Sequence, residues 1–257
     1  MEPVKLSPHT VNEGEVQTLS EGHWRLTCPK ENSDNYQLSQ LDDYHPFRRA
    51  QMPWHAGVTF SLQARASAAN LPGTWGFGLW NDPFGLNIGY GGARLLPALP
   101  NAAWFFFSSP PNYLSFRDET PAVGQVAGVF RSLPIPGWLF APLLPLTPLL
   151  LVRPAARLAR RMAAALVREE SAQLTLDPTA WHTYAFTWEA DSVTFRVDGE
   201  EVLTSAFAPR SPMGLVLWLD NQYAYWQPDG RLGYGTLPSP PAWIEIKEMD
   251  IKEIGLQ

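Results

Sequence analysis

A single cysteine, Cys28, among 257 residues leaves no disulfide framework and no cysteine-built metal cluster. Charge is also scarce. Only 17% of the residues are charged, against about a quarter in an ordinary soluble domain. The 19 basic residues are outnumbered by 25 acidic ones, and a net charge of −6 argues against a nucleic-acid partner. His9, His23, His45, His55 and His182 are scattered without metal-ligand spacing, so the sequence offers no metal set. No nucleophile-elbow motif and no phosphate loop is present, and the GYGG of residues 89–92 is a turn signal with no helix after it. The opening MEPVKLSPHT holds no apolar run, hence no visible secretory signal. The expectation is a cytoplasmic chain.

Proline, glycine and tryptophan fill the space that charge leaves. The 25 Pro and 19 Gly exclude a helical bundle or coiled coil and favour short strands joined by turns. One large all-β domain of residues 1–257 suits the length. Strands are predicted at residues 58–66, 73–80, 102–108, 181–189, 192–197, 201–203, 214–220 and 242–254. Between the fifth and sixth, Asp198-Gly199 supplies a hairpin turn with φ > 0. Residues 121–170 form an insertion. Its stretch 132–152 is free of charge for 21 residues, near the length of a membrane span. Five internal prolines, however, remove backbone donors that lipid cannot replace. A helix is predicted after Pro154, with Arg153, Arg157, Arg160, Arg161 and Arg168 broadly on one side and Leu158, Met162 and Leu166 on another. All six arginines between residues 120 and 168 are unopposed by any acid, so the rest of the chain carries −12. Such a segment suits a cleft edge, an anionic membrane surface in peripheral contact, or a solvated face.

The stretch WHTYAFTWEADSVTFRVDGEEV, residues 181–202, resembles the family 16 glycoside hydrolases of the concanavalin A-like superfamily, with His182, Thr183, Tyr184, Trp188, Val197, Asp198 and Gly199 on the family pattern. Residues 211–226 resemble that family's next cleft strand, residues 73–81 its Gly/Trp-rich strand, and residues 249–254 its closing strand. The resemblance covers roughly half the chain. It implies a concanavalin A-like jelly-roll β-sandwich, here carrying the Pro-rich apolar and helical insertion, and retaining β-glycosidase chemistry. It also offers Asp250 to a structural calcium.

That chemistry needs two carboxyls about 5 Å apart on one strand face. The strand at the corresponding place, residues 101–109 (NAAWFFFSS), has none. Glu248-Met-Asp250-Ile-Lys-Glu253 has the look of the signature but lies in the closing strand, so it is read as a solvated face.

The aromatics remain as the candidate site. Trp75, Phe77, Trp80, Trp104, Phe106, Trp218, Asp220, Tyr223 and Trp226 are read as ligand-binding along a concave sheet, where strand glycines mark close approach of a ligand. Trp138, Phe140, Arg157, Arg160 and Arg161 are read as a lid or a membrane-facing surface. Three functions fit. One is a repurposed jelly roll that binds or transforms a large apolar or amphipathic molecule. The second is a glycan-binding module or divergent glycosidase. The third is a scaffold whose insertion docks to a membrane or a partner.

Overall fold

The computed structural model describes residues 4–29, 35–83, 98–120 and 123–255. Within them sixteen strands follow in chain order. They are β1 (Ser7–Val11), β2 (Glu15–Ser20), β3 (His23–Cys28), β4 (Leu38–Asp42), β5 (Val58–Ala66), β6 (Thr74–Trp80), β7 (Ala102–Ser108) and β8 (Gly124–Ser132), then β9 (Val167–Gln173), β10 (His182–Trp188), β11 (Val193–Val197), β12 (Glu200–Ser205), β13 (Gly214–Asp220), β14 (Gln222–Trp226), β15 (Leu232–Thr236) and β16 (Ala242–Glu253). One α-helix, α1 (Arg153–Leu166), follows a run of 3-10 turns at Gly137–Leu151.

Two seven-stranded sheets face each other. The first has the order β1-β4-β13-β6-β7-β8-β9 and the second β12-β11-β10-β5-β16-β3-β2. Neighbouring strands in both sheets pair antiparallel. The result is a jelly-roll β-sandwich. Period-2 alternation builds the core directly. Along β5 every second side chain is buried, and Phe60 stacks on Phe186 of β10 with ring centroids 4.8 Å apart. From the first sheet, Phe77, Phe105 and Phe107 reach across to Tyr184, the first two at 4.9 and 5.0 Å.

Two expectations about the insertion need correction. Residues 124–132 and 167–173 are strands β8 and β9 of the first sheet, paired along their whole length, so the inserted segment is 133–166. Its ends meet where Leu133 N–H donates to Leu166 O (3.0 Å). The helix therefore stops at Leu166. Arg168 leaves the helical basic side and lies over the Phe207 ring, because pairing with β8 overrides the helical propensity of VREE. No helix among the described residues is long and apolar enough to cross a membrane.

Candidate ligand-binding cleft

The outer face of the first sheet is concave and aromatic. Its centre is β6, whose residues alternate between two fates. Trp75, Phe77 and Leu79 point into the sandwich, while Gly76, Gly78 and Trp80 face out. A methyl group on Gly76 would meet Phe105 O at 2.3 Å and the Trp218 ring at 2.7 Å. One on Gly78 would meet the Trp104 backbone at 2.6 Å. Bare backbone here makes room for the neighbouring indoles to lean over β6.

Register then assembles the site. Gly76 pairs with Trp218 of β13 on one side and Phe106 of β7 on the other, and Gly78 pairs with Trp104. Trp80 and Trp218 lie parallel, with a 5° interplanar angle and centroids 6.4 Å apart. Trp104 tilts against Phe106 at 5.3 Å and against Trp218 at 5.8 Å, with Phe130 edge-on to it. The cleft they line holds about 550 Å³. The hairpin β14–β15 builds one wall with Tyr223, Trp226 and Tyr234, and Ala163 of α1 adds to the rim.

Of the sequence-predicted ligand-binding residues, Trp80, Trp104, Phe106, Trp218, Asp220, Tyr223 and Trp226 line this cleft together. Trp75 and Phe77 do not. They face the opposite side of β6 and are part of the core, with Trp75 stacked 3.7 Å from Phe107. A bare face and a bulky face can be read off TWGFGLW, and the bulky face is the one the core takes. Leu38, Gln40, Leu114, Phe116 and Phe130 also line the cleft and were not anticipated, since short mixed segments such as LSQLD carry little strand signal.

The lid residues divide as well. Arg160 is buried, contrary to the reading of it as membrane-facing or as part of a lid surface. Its guanidinium pairs with Asp118 at 2.5 Å, donates to the carbonyls of Trp226 (2.9 Å) and Ser115 (3.1 Å), and lies 5.7 Å over the Tyr113 ring. With the Trp226 indole donating to Ala156 O (3.1 Å), it ties α1 to the cleft wall. Arg157 and Arg161 are exposed, as is Trp138 at 62%. The side chain of Phe140 lies outside the described residues, as does the GYGG turn.

Several polar groups of the cleft are engaged with one another. Asp220, fully buried, is the one carboxylate among the described lining residues. Its Oδ1 accepts from the Thr74 hydroxyl (2.8 Å), Thr74 N–H (3.2 Å) and Gln222 N–H (3.2 Å), and the Tyr36 hydroxyl stands 3.5 Å from Oδ2. Burial pushes this acid up to about 7, against the lowering effect of those hydrogen bonds. Tyr36 is likewise raised by burial. The Trp218 indole donates to Thr74 Oγ1 (3.0 Å), and Asn112 is occupied by Gly73 O, Ser109 O and Ala224 N–H.

The acids of the closing strand sit elsewhere. β16 belongs to the second sheet, with a bulge at Glu248 (φ 52°). Glu248 accepts from Gln63 at 2.8 Å, and Asp250, offered to calcium by the resemblance, pairs with Lys252 at 2.6 Å. His182 ties its own hairpin, Nδ1 lying 2.6 Å from Asp198 Oδ2.

No family model matches the chain, and no curated protein matches it in sequence. Solved structures do. An endo-β-1,4-glucuronan lyase from the fungus Trichoderma reesei is 11% identical with a TM-score of 0.50, covering 96% of this chain and 90% of that one. The κ-carrageenase of Pseudoalteromonas carrageenovora, complexed with a κ-carrageenan oligotetrasaccharide, is 12% identical with a TM-score of 0.50, covering 94% and 86%. At such identities the likeness concerns the fold, which these two carbohydrate-active proteins share with this chain.

Proposed function

We propose that this jelly roll binds an apolar or amphipathic small molecule in its aromatic cleft and does not hydrolyse glycosidic bonds. The observation that carries the reading is the cleft's chemistry. Its wall is dominated by indole and phenyl rings, and the polar groups of Thr74, Asn112, Trp218 and Asp220 are held in hydrogen bonds within the protein. A sugar needs open hydrogen-bonding partners at its hydroxyls, whereas an apolar chain or ring system needs only desolvated contact. Retaining hydrolysis also requires two carboxyls about 5 Å apart. Among the described residues that line the cleft Asp220 is the one carboxylate, and β7, the strand beside β6, carries none.

The test is native mass spectrometry of the purified chain with organic extraction of whatever accompanies it. A co-purifying apolar species, absent from Trp104→Ala protein, supports the reading. A bound oligosaccharide, or saturable binding on a glycan array, would replace it with a glycan-binding module or divergent glycosidase. The parallel Trp80 and Trp218 rings are the feature that favours that second reading, because flat indoles also stack on sugar faces.

The insertion fits the same proposal. Leu149, Leu151, Val152, Leu158 and Met162 are exposed, Leu151 at 83%, alongside Trp138 and the exposed Arg157 and Arg161. Apolar side chains interleaved with arginine suit peripheral contact with an anionic bilayer, from which an apolar ligand would be drawn. Co-sedimentation with anionic but not neutral vesicles is the expected result. Equal recovery with both would remove the membrane from the account.

A further inference from the structure

Beyond the aromatic cleft, the edge of the same sheet gathers a second constellation. Antiparallel pairing of β1 with β4 sets His9 opposite Gln40 and Ser7 opposite Asp42, so His9, Gln40 and Asp42 share one face. Gln40 lines the cleft, which makes this its concave face. The turn after β4 then returns His45 to the same spot, where its ring stacks on His9 with centroids 3.7 Å apart and 19° between planes.

The nitrogens of both rings converge on one oxygen. His9 Nε2 lies 3.4 Å and His45 Nδ1 4.0 Å from Oδ2 of Asp42, and the three candidate ligand atoms all fall within 4.8 Å of one another. Asp42 is fully buried. Its Oδ1 accepts from Tyr44 N–H (3.2 Å) and His45 N–H (2.9 Å), while Gln40 Nε2 donates to Oδ2 at 2.8 Å. The carboxylate is thus oriented by three donors before any ion arrives. His9 Nε2 is buried and has no hydrogen-bond partner.

We propose that His9, Asp42 and His45 form a binding site for a divalent transition metal, zinc in the first instance, at the end of the cleft. Two imidazole nitrogens facing one buried carboxylate oxygen offer a divalent metal a mixed nitrogen and oxygen donor set. Zinc–ligand bonds of about 2.0–2.1 Å imply ligand–ligand edges of roughly 3.4 Å in a tetrahedron, the separation already present between His9 and Asp42. Binding requires the half-exposed His45 ring to swing out of its stack on His9, so that both nitrogen lone pairs point at one ion. Imidazole with carboxylate suits zinc and its neighbours rather than calcium or magnesium. Three protein ligands leave a fourth position, and Gln40, held between Asp42 and the cleft, is the polar group that orients the carboxylate ligand.

Tag-free protein stripped with chelator and dialysed provides the test. Titration with Co²⁺ followed by visible absorption, and with Zn²⁺ by calorimetry, is expected to saturate at one equivalent with tetrahedral d–d bands. His9→Ala and His45→Ala should each weaken binding by roughly tenfold or more, and Gln40→Leu by about tenfold. His55→Ala should leave it unchanged. Zinc should also raise the melting temperature of the native chain and not that of His45→Ala, a variant at a partly exposed position that keeps its fold. Absence of saturable one-equivalent binding, or binding that survives both histidine variants, overturns the site.

Discussion

The two faces of strand β6 and its neighbours are built from the same residue types and do opposite things. Inward, Phe77, Phe105 and Phe107 interlock with Tyr184 and Phe195 and are sealed from water. Outward, Trp104 and Trp218 lie over glycine backbone and, with Trp80, border open volume. Aromatic residues fill a core when another layer meets them and line an open cleft when none does. Sequence composition cannot separate these fates; only the facing layer does.

Adjacent residues on β7 test this contrast most severely. Phe105→Ala removes a fully buried ring from the inter-sheet core and should cost about 3–5 kcal/mol in urea unfolding. Trp104→Ala, one residue earlier and on the other face, should cost well under that while weakening an apolar probe roughly tenfold or more, an effect of about 1.4 kcal/mol. Equal stability losses from the two would mean that both faces of β7 are packed alike.

Gly76→Ala comes next, because the new methyl meets the Phe105 carbonyl and the Trp218 ring. A loss of about 1–3 kcal/mol is expected from overpacking, together with weaker probe binding as the indole is displaced. Unchanged stability would mean that β6 is not pressed against its neighbours.

Replacing residues 134–165 with an Asn-Gly turn should then leave the sandwich folded, since β8 and β9 already meet at Leu133 and Leu166. Circular dichroism should be preserved, while probe affinity falls several-fold with the loss of the α1 rim.

A pH dependence tests the polar end of the cleft. Asp220 titrates near 7 when folded and near 4 when unfolded, so the folded state binds the extra proton between those values. Its contribution is full below about pH 4 and is lost as pH rises towards 7. The stability difference between the native chain and Asp220→Asn should therefore fall across that window and level off above it. Asp43, pushed up to about 6 by burial, shares the sign but is present in both proteins and cancels.

The sandwich was legible because alternation in VTFSLQARA, HTYAFTW and VTFRV matches a half-buried pleat, and Asp198-Gly199 takes the positive φ values of a hairpin turn. The outer strands were less so. β2 is EVQTLS and β9 is VREESAQ, segments whose strand state comes from pairing rather than propensity. Most of the cleft could be named from aromatic positions, yet the side taken by Trp75 and Phe77 depended on which sheet covers them. Arg160 looked like a surface charge on a helical wheel, and its burial follows from Asp118 and Trp226, distant residues that no local pattern connects to it. The His9–Asp42–His45 cluster was invisible for the same reason, its members being joined by strand register and a turn.

The proposed function makes the cleft an apolar receptor. Side-by-side titrations, monitored by energy transfer from the cleft tryptophans, address it most directly: one with a fluorescent polyene fatty acid, the other with a β-glucan oligosaccharide. An apolar receptor gives saturable one-to-one binding of the polyene, abolished in the Trp104→Ala/Trp218→Ala double variant, and no response to the sugar. Saturable sugar binding lost in the same variant, with no response to the polyene, would contradict it.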